Sequence, residues 1–320
     1  MFLLSKNLKS YFKTTLVVMI FTALVYLLPS PVSFIFEALA AVYFAKIVIG
    51  HLYKYVIATG ALILAITGAF GGVYGALLSG VLIVLLGLSL GMGVRLGISF
   101  NKLLFLCTAL YLASTAAGIM LLKSASTDLF SLNYFYETVN SVLDNMTNAG
   151  YYANPEVIDV LKTYLKQTVL FMMRVTPAMM IIVSIICAFI LIQIYKYVLI
   201  KAKRDIKFVV PFDKMRAGKI SGIVFIVLFF LYSAAPEGMF SDLSLNVLII
   251  LGFLFFACGL SLFDWRLKMR GTKKNSRRLM EIAILPISYM CMFIPVFALV
   301  VSGLIDSLIN FRKRIIEKQD

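Results

Sequence analysis

Long apolar runs with few charges constrain this chain more than any other feature. A bilayer hydrocarbon core about 30 Å thick is crossed by roughly twenty helical residues at 1.5 Å each. Runs of that order occur at about 14–29, 32–50, 55–70, 73–94, 103–122, 168–199, 220–236, 245–264 and 281–304. Of 320 residues 62% are apolar and 14% charged, with a mean hydropathy of +0.98. A soluble domain is closer to half apolar and a quarter charged. Disorder and coiled coil are excluded because the apolar runs are unbroken rather than heptad-spaced. The expected fold class is therefore all-α: a polytopic membrane helical bundle of about nine transmembrane helices.

Two places leave the count open. Pro286 and Pro295 interrupt the last segment, and a re-entrant passage there reduces the total to eight. Gly68 through Gly72 join the third and fourth segments, which alternatively form one hairpin that does not fully cross. The first segment follows Lys6, Lys9 and Lys13 and runs into Pro29-Ser30-Pro31, a retained anchor rather than a cleaved signal.

Lysine and arginine set the orientation, because cytoplasmic loops keep positive charge. The amino terminus, the turns with His51 and Lys54 and with Arg95 and Lys102, and the stretches 196–219 and 266–278 are basic. Asp128, Glu137, Asp144, Glu156, Asp159, Glu237 and Asp242 lie in the intervening loops. This alternation places the amino terminus in the cytoplasm and the chain in a bacterial cytoplasmic membrane. Nine crossings then put the tail Arg312-Lys313-Arg314 outside, whereas eight return it inside. The net charge of +15 sits in loops between spans, so membrane lipids are the expected partner and nucleic acid is not.

The organisation divides into residues 1–200, a six-helix bundle with an exoplasmic helical loop at 123–167, and residues 201–320, a three-span region with basic loops and tail. Within the loop, Leu129, Leu132, Val139, Leu143 and Met146 recur at helical spacing with Glu137 and Asp144 between them, an amphipathic helix. Asn154-Pro155 starts a further helix that continues into the sixth span and kinks at Pro177.

The motifs of catalysis are absent: there is no H-E-x-x-H, G-x-S-x-G, Walker A or dinucleotide fingerprint. Neither catalytic residues nor cofactors are expected. His51 is the single histidine, and Cys107, Cys187, Cys258 and Cys291 lack ligand spacing, so no metal site is expected. The glycine pairs Gly71/Gly75, Gly87/Gly91 and Gly93/Gly97 have the spacing of close helix packing, with a ligand-lining role for the turn around Gly68–Gly75 as the alternative. Trp265, Tyr195, Tyr197, Tyr53 and Tyr55 form an aromatic belt, and Met172, Met173, Met179 and Met180 an adaptable core face.

Ionisable groups inside spans cost a few kcal/mol each, about 3 at the bilayer centre, unless paired or hydrated. Glu37 in the second span and Arg174 in the sixth are the candidates for ligand binding. Both are expected in the outer half of the bundle, facing a shared outward cavity, as an ion pair or as anchors for a solute. Snorkelling to the headgroups is the alternative. Asp264 and Glu281 read as exposed salt-bridge partners, and Asp306 as interfacial.

The glycine-rich third and fourth spans, Lys207 through Phe212, Gly259-Leu260-Ser261, Gly303 through Asp306 and Phe311-Arg312-Lys313 resemble the YybS-like family of multi-pass bacterial membrane proteins. That family is similar to the substrate-capturing S subunits of energy-coupling-factor transporters, whose six helices bind solute from outside. The resemblance implies a capture-like bundle. S subunits dock their coupling partner through Ala-x-x-x-Ala on the first helix, whereas here the spacing occurs at Ala41 and Ala45 in the second span.

Three functions follow as expectations. The first is binding or translocation of a small solute from the extracytoplasmic side. The second is a non-transporting organiser or regulator recruiting a cytoplasmic or membrane protein partner. The third is an intramembrane enzyme acting on a lipid-linked substrate, a minority reading beside a non-enzymatic protein.

Overall fold

The computed structural model describes residues 2–125, 132–148, 155–201, 212–234, 236, 238–290 and 293–312. Asp128, Leu129, Ala149-Gly150, Asn154, Lys207 through Pro211, Glu237, Cys291 and the tail from Lys313 lie outside the described residues. Among the described residues all regular structure is helical. The helices are α1 (Phe2–Leu27), α2 (Ser30–Gly50), α3 (Tyr53–Gly75), α4 (Val81–Arg95), α5 (Phe100–Ala125), α6 (Leu132–Asn148), α7 (Pro155–Lys201), α8 (Lys219–Ala234), α9 (Met239–Met269), α10 (Lys274–Met290) and α11 (Ile294–Ile309).

Among the described residues six helical stretches are long and apolar enough to cross a membrane, against nine segments expected. The differences have local causes. The third and fourth segments fall in one helical stretch, Tyr53–Arg95, because no loop separates their helices and α3 passes into α4 through a π-helical turn, Ala76–Gly80. It nevertheless turns back on itself at Gly72, where φ is 63° and ψ is −161°, a conformation that costs an L side chain dearly. Beyond that turn Gly68 approaches Ala76 and Gly60 approaches Val84, the contacts of a helical hairpin. The seventh segment is the 16-residue α8, too short by the same criterion. The ninth is not one helix: α10 contains Pro286, and α11 starts only after Phe293 in a left-handed conformation.

The chain divides into two compact units, the first comprising residues 1–166 and 183–209 and the second residues 167–182 and 210–320. Helix α7 runs from Pro155 to Lys201 with Pro177 inside it, and so contributes to both.

In unit 1 the central helix is α2, with Ala38, Ala40, Ala41, Phe44, Ala45 and Ile47 all buried. Its Ala41 and Ala45 meet Gly87 and Gly91 of α4 so closely that a Cβ on these glycines would lie 2.9 Å from Ala41 O and 3.0 Å from Ala45 O. Small residues four apart on both helices let the backbones touch, which is how apolar helices associate where no water drives them together. The Ala-x-x-x-Ala spacing is thus consumed inside the chain. The packing role of Gly71 and Gly75 is equally concrete: the Tyr26 ring fills the space beside both.

Helix α6 has the amphipathic character expected, with Leu143 buried and Glu137 and Asp144 exposed. Asp144 pairs with Lys162 of α7 at 3.4 Å. The aromatic belt needs correction. Tyr197 and Tyr53 are exposed, but Tyr195 is fully buried and donates its hydroxyl hydrogen to Leu90 O at 3.2 Å. The methionine face is also corrected: Met172, Met173 and Met179 are exposed rather than core.

In unit 2, α9 and α11 cross at glycines. A Cβ on Gly259 would overlap Leu299 O, and one on Gly303 would overlap Phe255 O, so the two backbones are in direct contact. Phe255 and Cys258 fill the adjoining core. Large apolar side chains such as Ile57, Val73, Phe105, Ile220, Phe230 and Phe297 face outward along the helices of both units. Such surfaces are stable in hydrocarbon and unstable in water.

Candidate functional site

Arg174 lies within unit 2, and its Nε pairs with Asp242 Oδ1 of α9 at 2.8 Å. The pair sits beside the break in α7. Pro177 has no N–H to donate to the carbonyl four residues back, and its ring opens the helical ladder there. Asn246 of α9 enters this opening. Its Oδ1 accepts from Ala178 N at 2.9 Å, and its Nδ2 donates to Arg174 O at 2.8 Å and to Asp242 O at 2.7 Å. Residues 178 and 174 are partners in an unbroken ladder, so one side-chain amide bridges the donor and acceptor that such a ladder would join directly.

Glu37 lies in unit 1, on the same helix as the buried alanines. Among the described residues it forms no ion pair. Its carboxylate acts electrostatically on Tyr26 of α1, Tyr111 of α5 and Cys187 of α7, so three further helices converge on it. The Tyr111 hydroxyl and the Thr108 hydroxyl one turn away are buried without a hydrogen-bond partner. Phe34 packs against the Tyr111 ring with centroids 6.0 Å apart. Glu37 and Arg174, the two residues singled out from the sequence, thus belong to different units, and each has its own set of neighbours.

The other charged cluster, all in unit 2, gathers where α9 and α11 end and α10 begins. Asp306 is fully buried rather than interfacial, and its Oδ2 accepts from Arg312 Nε at 3.1 Å. Arg312 also donates to the carbonyls of Asp213 and Met215 and to Ser261 Oγ. Ser261 in turn donates to Phe212 O and Met215 O, tying the 3₁₀ turn Phe212–Lys214 onto α9.

Asp213 faces Lys268. Burial alone would raise its pKa, but the hydrogen bond and charge of Lys268, a backbone N–H and the charge of Arg277 outweigh burial and hold it below the usual carboxylate range. Asp264 is buried rather than exposed, and its Oδ1 accepts from Arg277 Nη1 at 2.6 Å. Burial, then the charge of Asp264 and a hydrogen bond with it, push Glu281 up to about 7 against the opposing charges of Arg277 and Arg278. His51 packs against the rings of Tyr11 and Tyr55, and burial followed by the Lys46 charge lowers its pKa. Among the described residues no three His, Cys, Asp or Glu side chains converge as metal ligands.

A family of predicted membrane proteins, DUF2232, matches residues 15–307. The chain belongs to that family. No curated protein and no solved structure matches it. Membership of DUF2232 agrees with the several apolar helices described above and makes the chain a membrane protein. The match extends from α1 into α11, so it covers Glu37, Arg174, Asn246 and both glycine crossings of this DUF2232 member.

Sequence reasoning missed Asn246, Asp213 and Ser261 as structural partners. A signal for Asn246 exists: a lone amide within an apolar run is costly unless it repairs a defect elsewhere, and Pro177 supplies one. Asp213 and Ser261 had no such signal, since their partners are 55 and 49 residues away.

Proposed function

We propose that this protein is a polytopic, non-enzymatic protein of a bacterial cytoplasmic membrane that binds a small solute through unit 1, at Glu37. The observation that carries the reading is that Glu37, which lies in a span and has no ion-pair partner among the described residues, neighbours a Tyr111 hydroxyl that is buried with no hydrogen-bond partner. Leaving a buried polar atom unpaired costs about 1–3 kcal/mol. A solute presenting a cationic or hydrogen-bond-donating group to Glu37 and an acceptor to Tyr111 would recover that cost. The pairing of the other buried or half-buried cations supports a non-enzymatic reading, because Arg174 in a span and Arg277 and Arg312 outside the spans are each engaged by a carboxylate in a structural pair. Arg174 is a second and separate anchor in this scheme, its guanidinium already held by Asp242. Entry from the extracytoplasmic side follows from the charge alternation of the loops, with the amino terminus in the cytoplasm and about nine passages.

Native mass spectrometry of the full chain in mild detergent tests the reading. The wild type should carry a reproducible small-molecule adduct that Glu37→Gln and Tyr111→Phe both lose while remaining folded. An adduct retained by both variants, or none in any preparation, refutes solute binding at Glu37.

A further inference from the structure

A cavity of about 540 Å³ opens at the basic end of unit 2. Its walls come from three places: Lys214 and Arg216 on the segment before α8, Trp265 and Lys268 at the end of α9, and Asn310 and Arg312 after α11. A left-handed Asn310, with φ 56°, ends α11, and Arg312 two residues later joins the cavity lining.

The charges of the cavity do not cancel. Lys268 is matched by Asp213, and Arg312 by the buried Asp306. Arg312 is further fixed by three hydrogen bonds to Asp213 O, Met215 O and Ser261 Oγ, so it is a fixed part of the lining. Lys214 and Arg216 are exposed and have no carboxylate partner among the described residues. The cavity therefore carries an excess of two positive charges on flexible stems over a rigid base. Trp265 supplies an aromatic wall with an indole N–H, and Met269 an apolar edge.

We propose that this cavity is a binding site for a phosphate group, with Arg216 and Lys214 contacting its oxygens and Trp265 packing against the organic part of the ligand. Arginine presents a planar fork that fits phosphate oxygens, and lysine adds a point charge. The chemistry is shared by an anionic phospholipid headgroup and by a soluble phosphate. Basic pockets between membrane helices commonly accept such headgroups.

The full chain in vesicles of phosphatidylcholine, with or without phosphatidylglycerol, tests the site by native mass spectrometry of retained lipid. The paired variant Lys214→Gln/Arg216→Gln should lose phosphatidylglycerol binding by about thirtyfold, equivalent to about 2 kcal/mol for two cations. Phosphatidylcholine retention should not change. Lys273→Gln/Lys274→Gln, which removes two exposed cations outside the cavity lining, should change neither. Inorganic phosphate distinguishes the sources: if it binds in detergent and displaces phosphatidylglycerol, the ligand is a soluble phosphate, and if it does neither while the lipid effect holds, the ligand is a headgroup. Equal losses in the two paired variants, or no loss in the cavity variant and no phosphate binding, overturn the site.

Discussion

The amide N–H of Ala178 donates to Asn246 Oδ1 at 2.9 Å, and the carbonyl that would receive it in an unbroken helix, that of Arg174, accepts from Asn246 Nδ2 at 2.8 Å. A proline in a membrane helix leaves backbone groups that no water can satisfy in hydrocarbon. Here the missing solvent is replaced by a side chain from α9. The same helix brings Asp242 against Arg174 one turn earlier, so a single contact line repairs the backbone and neutralises the charge.

Asn246→Ala is expected to lower the stability of the detergent-solubilised protein by about 1–3 kcal/mol, since it strands one backbone donor and one acceptor. Adding Pro177→Ala should recover much of that loss, because residue 177 regains an N–H and the ladder can close. Thermal unfolding of the two single variants and the double variant measures the coupling. Additive losses would show that Asn246 does not serve the proline break.

The crossing of α9 and α11 predicts a contrast between glycines of the same helix. Gly259→Ala places a methyl group into Leu299 O and should destabilise by at least about 1–3 kcal/mol, the usual cost of overpacking. Gly252→Ala has open space and should be neutral or slightly stabilising. Thermal midpoints of the two variants decide the matter, and equal effects would remove the crossing as a determinant of unit 2.

Breaking the Arg312–Asp306 pair should be costly. Arg312→Gln leaves a fully buried carboxylate without its cation, a loss of about 3–5 kcal/mol, whereas Arg312→Met/Asp306→Leu should be milder. Limited proteolysis in mild detergent reports it. If the double variant is cleaved faster than Arg312→Gln, the buried charge is not the origin of the cost.

Glu281 makes stability depend on pH. Its folded value, about 7, is above its ordinary 4.5, so the folded state favours the protonated form. The stability it contributes is complete below about pH 4.5 and is lost as pH rises through about 7. Glu281→Gln should flatten the fall in thermal midpoint across that window. An unchanged slope in Glu281→Gln would assign the fall to another group.

Much of the architecture could be read before any coordinates. The helix starting at Pro155 and running through Pro177, the amphipathic α6 and the all-helical class follow from proline position and apolar periodicity, which are local properties. The turn within α3 was legible as glycines, and its tightness at Gly72 was not. The cost of charge in a span marked Glu37 and Arg174, but their surroundings were hidden: the partner of Arg174 lies 68 residues further on, and the neighbours of Glu37 come from three other helices.

By itself, the sequence determined that this is a membrane protein with several helices apolar enough to cross a bilayer, because hydropathy sums over consecutive residues and needs no knowledge of contacts. Only the tertiary structure decided which small residues meet, which carboxylate answers which guanidinium, and that Asp264 and Asp306 are buried. Those outcomes depend on pairings between helices distant in sequence, and a buried charge is tolerated only where such a pairing places its counterion within hydrogen-bonding reach.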